Sequence, residues 1–169
     1  MAGYGAAMSD SRTHRYDVET AWQDPAGAGT ADYRSYPRAF ALRVPDKPVL
    51  AGSADPAFLG DPQRHNPEDL FVGALSACHM LTYLALAARE RVVVLEYRDA
   101  ASGILEVEAR GGGAFREVVL RPHVVVRDAS SQARALELHA EAARRCFIHR
   151  SVATPVRCVP QVDLQRGER

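Results

Sequence analysis

Apolar positions alternate with polar ones over short stretches at both ends of the chain and run together in the middle, which predicts strands around one long helix. HRYDVETAWQ alternates as a half-buried strand does, and the glycine-rich DPAGAGTAD after it reads as a turn. FALRV and PVLAG are short strands separated by PDKP, and GSADPAFLGDPQRH is a loop or one-turn helix. From Leu70 to Ala88 the chain is almost without charge. Its start is well marked: Asn66 suits the N-cap, Pro67 the first helical position, and Glu68 and Asp69 complement the positive end of the helix dipole. A helix is expected from there to about Glu90.

VVVLEY and GILEVEA follow as strands. FREVVLRPHVVVRD is the clearest of all, with Val118, Leu120, Val124 and Val126 on one face and Glu117, Arg121, His123 and Arg127 on the other. Pro122 argues for an edge position or a bulge, because it donates no ladder hydrogen bond. SSQARALELHAEAARRCF reads as a second helix capped by Ser130 or Ser131. Ala133, Leu136, Ala140, Ala143 and Phe147 form its apolar stripe and Cys146 sits near its end. PVRCVPQVDLQ is a last strand. This order predicts an α+β fold, a mostly antiparallel sheet on a long central helix. Residues 1–12 are small and polar and read as a flexible terminus, leaving 13–169 as a single domain.

A chain of 169 residues, 47% apolar and 25% charged, is long enough for a core without metal or disulfide staples. Its 21 basic and 21 acidic side chains balance, so no field favours nucleic acid or an anionic membrane. The run from Leu70 to Ala88 is long enough to raise a membrane span. Gly73, Ser76, His79 and Thr82 interrupt it every third residue, however, and a core or interface helix is the better reading. No secretory signal is visible at the start, and three cysteines are an odd number for a disulfide framework. A reducing cytoplasm is the expected location.

The cysteines admit three readings. Cys78 and Cys146 can be inert small hydrophobes. They can ligate a metal with His79 and His149, although adjacent helical residues such as Cys78 and His79 point about 100° apart and serve one ion poorly. Or they can be a redox pair, which requires a thiolate. Cys78 lies mid-helix and Cys146 near a helix C-terminus, so neither gains from a dipole, and burial opposes both. A reactive Cys78 therefore needs a cation from elsewhere in the fold, best an arginine held by a carboxylate.

NPEDLFVGALSACHM together with CFIHRSV resembles the OsmC/Ohr family of organic hydroperoxide reductases, over roughly residues 14–165. YRSYPR, GSADPAFLGDP and LSACHMLTYL are similar to its OsmC-like branch. The resemblance implies that Cys78 is the peroxidatic nucleophile, Cys146 the resolving cysteine, and Glu68 the partner of a thiolate-orienting arginine. Arg38 in YPRAF is the match for that arginine, although Ala39 stands where the family often has an acidic residue; Arg34 is the alternative. Arg150 likewise stands where a small polar residue is more usual. The resemblance also implies an intertwined homodimer.

Such a protein would reduce an organic hydroperoxide to its alcohol through a Cys78 sulfenic acid and a Cys78–Cys146 disulfide. An external dithiol or lipoyl-type reductant would then restore the thiols, with no cofactor and no metal. Phe71, Leu75, Met80 and Phe147 are candidates for an apolar substrate site. Glu68 and Cys78 are ten residues apart on one helix, about 15 Å along its axis. One arginine cannot serve both unless the helix kinks near Gly73, so each site is expected to be composite, built from two subunits. His79 reads as a packed core histidine, Cys158 and Trp22 as structural, and Arg144 and Arg145 as a solvated face, with electrostatic assistance to Cys146 as the alternative. Two other functions compete: a non-catalytic stress-related binder of an apolar ligand on the same fold, and a zinc-binding structural protein.

Overall fold

The computed structural model describes residues 13–165; the terminus expected to be flexible, 1–12, lies outside them. The chain forms two compact units that meet in sequence between Asn66 and Pro67. In the first, three short strands, β1 (Glu19–Trp22), β2 (Phe40–Arg43) and β3 (Leu50–Gly52), make an antiparallel sheet in that order. A single 3-10 turn, Pro56–Phe58, follows; Asp55 caps it by accepting from the Ala57 N–H at 2.8 Å. The strand expected over HRYDVETAWQ is reduced to its last residues.

The second unit holds α1 (Pro67–Arg89), β4 (Val94–Asp99), β5 (Ser102–Val107), β6 (Gly113–Leu120), β7 (Pro122–Val126), α2 (Gln132–Arg145), α3 (Phe147–Arg150), β8 (Val156–Cys158) and β9 (Gln161–Leu164). The strands form two three-stranded sheets, β4-β7-β9 and β5-β6-β8. In each, one pairing is antiparallel and one, to β8 or β9, is parallel. With the first unit's hairpin pairings the ladders are mostly antiparallel, and the fold class is α+β as the pattern predicts.

Two expectations need correction. The stretch 115–128 is not one strand. It breaks at Arg121, and Pro122 opens β7, the central strand of its sheet rather than an edge; a proline can begin a central strand because only the ladder beyond it needs N–H donors. The C-terminal strand breaks in the same way before Pro160. The two chain segments run side by side and change sheets together, bridged where the Val159 N–H donates to the Leu120 carbonyl at 2.9 Å. The face assignment holds: Val118, Leu120, Val124 and Val126 are all buried. They fill two clusters, however, Val118 and Leu120 with Leu75, and Val124 and Val126 with Tyr83, Leu86, Leu138 and Ala142.

The second correction concerns α2. Its buried stripe is Ala135, Leu138, His139 and Ala142, continued by Cys146. Ala133, Leu136 and Ala140 face outward and Phe147 is 79% exposed. Helix α1 is continuous from Pro67 to Arg89, with no break at Gly73. It buries Leu75, His79, Tyr83, Leu86 and Ala87 and leaves Ala74, Ala77, Leu81, Ala85 and Ala88 exposed. By length and composition it is apolar enough to span a bilayer, but its buried side packs on α2, α3 and β4.

Candidate functional site

Cys78 lies half-buried in the middle of α1, its carbonyl accepting the Thr82 hydroxyl at 2.8 Å. Cys146 is fully buried where α2 stops. Its N–H still donates to the Ala142 carbonyl at 2.8 Å, but its ψ of 118° turns the chain out of the helix. The same residue then caps α3: its Sγ accepts from the His149 N–H at 3.4 Å. This crossing of α1 and the α2–α3 corner brings the Cys78 and Cys146 thiols within hydrogen-bonding reach of each other. No disulfide joins them; all three cysteines are free.

Burial pushes the Cys146 thiol up to about 11, and its hydrogen bond with Cys78 adds to the rise. The backbone N–H groups of His149 and Ile148 work in the opposite direction, since they favour the thiolate, but desolvation wins. Cys146 is therefore a protonated thiol at neutral pH.

Cys78 opens onto a cleft of about 730 Å³. Leu81, Ala85, Leu86 and Phe147 give it an apolar lining, and Arg89, Arg144, Arg145 and Arg150 bring four guanidinium groups to it. Arg145 shares Glu141 at 3.5 Å, while the other three have no carboxylate partner among the described residues. Arg144 and Arg145 are exposed, as a solvated face should be, and that face borders the Cys78 thiol.

The expected substrate residues fall in different places. Phe147 lines the cleft with Cys78. Leu75 is 1% exposed and packs with Val118 and Leu120 in the core. Phe71 stacks on Phe115, ring centroids 4.9 Å apart, at the edge of the same cluster. Met80 is half-buried and outside the cleft lining. Glu68 sits in the first turn of α1, with Oε2 buried and unpaired among the described residues. On a continuous helix it is about 15 Å along the axis from Cys78.

In the first unit, the Arg38 guanidinium donates to the backbone carbonyls of Tyr33 and Tyr36 and lies 3.6 Å over the Tyr36 ring centroid. Trp22, expected to be structural, supports this arrangement: its indole N–H donates to the Pro37 carbonyl at 2.7 Å and its ring meets Tyr36 edge-on. Arg34 places its backbone N–H on the Asp32 carboxylate at 2.9 Å.

His79 is 1% exposed, a core histidine as expected, but it is not isolated. Its Nε2 meets His139 Nδ1 at 3.1 Å, and Cys158 Sγ lies 3.7 Å from the same nitrogen. His139 was missed as a partner because it counts as polar in a hydrophobic pattern. Ser76 and Asp99, also missed, bond each other at 2.6 Å, and Asp99 accepts the Arg121 N–H at 2.7 Å.

Residues 60–159 match the family described as OsmC-like protein. An OsmC-like protein of unknown function from Vibrio cholerae is 32% identical, with a TM-score of 0.80 over 88% of this chain and all of that one. The organic hydroperoxide resistance protein OsmC of Legionella pneumophila shares the fold at 15% identity, with a TM-score of 0.63 over 90% of this chain and 99% of its own. The uncharacterized protein YmaD of Bacillus subtilis is 26% identical over 105 residues, 60% of this chain and 69% of YmaD.

Proposed function

We propose that this chain, which belongs to the OsmC-like protein family, is a cysteine-based peroxidase that reduces organic hydroperoxides and defends against oxidative stress. One observation carries the reading: two free thiols from distant parts of the sequence lie close together, and one of them, Cys78, lines a cleft with an apolar wall. A pure binder of an apolar ligand has no use for that pair.

In the proposed cycle the Cys78 thiolate attacks the distal oxygen of ROOH. The O–O bond breaks, the alkoxide takes a proton and leaves as ROH, and Cys78 becomes a sulfenic acid. Cys146, within reach of Cys78, loses its proton and attacks the Cys78 sulfur, releasing water and forming the disulfide. An external dithiol, lipoyl-type or otherwise, returns two electrons and two protons. The thiol contact makes the second step a local event, which protects the sulfenic acid from further oxidation.

The lining of Leu81, Ala85, Leu86 and Phe147 favours bulky alkyl or aryl hydroperoxides over hydrogen peroxide. Arg38 and Glu68 are proposed to orient the Cys78 thiolate from the second subunit of a homodimer. The exposure of Leu81 at 62% and Phe147 at 79% supports coverage by a second copy. Three cysteines held as free thiols suit a reducing cytoplasm.

The test is turnover of cumene hydroperoxide with dithiothreitol by the wild type, Cys78→Ser and Cys146→Ser. Loss of turnover in Cys78→Ser is expected; full turnover there would remove the proposal.

A further inference from the structure

The proposed cycle assigns no role to the four guanidinium groups at the Cys78 cleft. Arg89, Arg144, Arg145 and Arg150 are all exposed, and only Arg145 has a carboxylate partner, Glu141 at 3.5 Å, among the described residues. No aspartate or glutamate among those residues lines the cleft with them. The chain as a whole is balanced, 21 basic side chains against 21 acidic, so the excess is local and the composition does not show it.

Two elements build the cleft. Cys78, Leu81, Thr82, Ala85 and Arg89 recur at steps of three and four along α1 and form one wall, about 16 Å from Cys78 to Arg89 along the axis. The α2–α3 corner forms the other. Arg144 and Arg145 end α2 immediately before Cys146, and the Arg150 N–H donates to the Cys146 carbonyl at 3.1 Å, one turn beyond it. Three of the four cations are therefore carried on backbone close to Cys146, with Phe147 between them.

Two reactants visit this cleft in turn, and they differ in charge. A hydroperoxide reacts as neutral ROOH, which a positive field neither draws in nor repels. The reductant reacts as a thiolate, and a cleft lined by one sign of charge speeds the arrival of the opposite sign by about tenfold to a thousandfold. The apolar wall of Leu81, Ala85, Leu86 and Phe147 accepts the carbon skeleton of such a molecule. Once a disulfide joins the cysteines, the sulfur within its reach is that of Cys78, because Cys146 is 0% exposed.

We propose that Arg144 and Arg150, with Arg89 at the far end, make the Cys78 cleft the docking site of the reductant and select a dithiol that bears an anionic group. The inference rests on the peroxidase reading for the Cys78–Cys146 disulfide it acts on. The docked thiolate attacks the Cys78 sulfur; the disulfide breaks, and Cys146 leaves with the electron pair and takes a proton. The second thiol of the reductant then loses its proton and attacks the reductant sulfur of the mixed disulfide. Cys78 leaves as its thiolate and the reductant as a cyclic disulfide, having given up two electrons.

The test compares two dithiols that differ in one substituent, anionic 2,3-dimercaptopropane-1-sulfonate and neutral 2,3-dimercaptopropan-1-ol. Diamide, a two-electron thiol oxidant, closes the disulfide in the full chain, and thiol counting follows the fall from three free thiols to one. Each dithiol's rate of reopening is divided by its rate on the neutral disulfide of 2-mercaptoethanol, which removes differences in intrinsic reactivity. At low ionic strength the corrected rate should be higher for the sulfonate by roughly fivefold or more, the factor of one exposed ion pair. Salt at about 0.5 M, which screens charges within roughly 4 Å, should bring the ratio close to one. Arg144→Gln/Arg150→Gln should do the same, while Arg144→Lys/Arg150→Lys should keep the preference. A general loss of structure slows both dithiols and leaves their ratio alone; should the glutamine variant fail to fold, the salt series decides. Equal corrected rates in the wild type overturn the inference, as does a preference that survives the glutamine substitutions. Because diamide rather than a peroxide closes the disulfide, neither result depends on turnover of cumene hydroperoxide, which tests the peroxidase reading separately.

Discussion

The Cys78 and Cys146 thiols lie within hydrogen-bonding reach of each other, one from the middle of α1 and the other from the corner between α2 and α3. Such proximity is what the proposed disulfide requires of the two residues. It also couples the two groups electrostatically: whatever charge Cys78 carries is felt by Cys146. The burial of the two residues fits the order of the proposed cycle, in which the half-buried Cys78 meets peroxide at the cleft and the fully buried Cys146 meets only Cys78.

The raised pKa of Cys146 gives disulfide closure a distinct pH dependence. Only the thiolate attacks a sulfenic acid, and a thiol pushed up to about 11 is overwhelmingly protonated at pH 7. Its thiolate fraction rises about tenfold per pH unit below that value. After a single equivalent of cumene hydroperoxide, closure measured by acid quench and thiol counting should therefore accelerate roughly tenfold from pH 7 to 8 and again from 8 to 9. A flat profile would show that another group takes the proton from Cys146.

Leu75 faces the core and Leu81 the cleft, about 120° apart around α1, and they should separate stability from substrate handling. Leu75 is 1% exposed and packs with Val118 and Leu120, so Leu75→Ala should cost about 2–5 kcal/mol in urea unfolding. Leu81 is 62% exposed at the cleft, and Leu81→Ala should change the stability of the isolated chain by no more than about 0.5 kcal/mol. Its effect should appear instead as a raised KM for cumene hydroperoxide.

The basic side of the cleft predicts a preference among hydroperoxides. Arg144 has no carboxylate partner among the described residues and borders the same cleft as Cys78. An exposed guanidinium–carboxylate pair contributes up to about 1 kcal/mol, or roughly fivefold. Arg144→Glu should raise KM by at least that factor for a hydroperoxide bearing a carboxylate, and leave KM for neutral cumene hydroperoxide unchanged. Equal effects on both would assign Arg144 a structural role.

Legibility in the sequence followed the range of the interactions. The start of α1 was visible because Pro67, Glu68 and Asp69 signal it locally, and β4 and β5 because alternation is local too. The sheet changes at Pro122 and Pro160 were not, since a proline marks a break without saying where the next strand pairs. In α2 the expected stripe through Leu136 failed because the buried stripe runs through His139, a polar residue that a pattern of apolar positions passes over. The contact of Cys78 with Cys146 depends on how α1 crosses α2, which no spacing encodes. Arg38 entered only through the family resemblance.

The continuity of α1 leads to the last prediction. Glu68 and Cys78 share an unbroken helix, about 15 Å apart along its axis, so one arginine side chain cannot pair with the carboxylate and the thiolate of the same chain. The proposed dimer resolves this if Glu68 of one subunit serves Cys78 of the other. Co-expressed Glu68→Ala and Cys78→Ser chains, carrying different affinity tags, then form mixed dimers in which one site has both residues. Each variant alone should be inactive or severely impaired, while the doubly purified mixed dimer should recover about half the wild-type turnover, one site in two. If Glu68 acted on Cys78 of its own chain, no site in the mixed dimer would be complete, and turnover would stay at the level of the weaker parent mixtures.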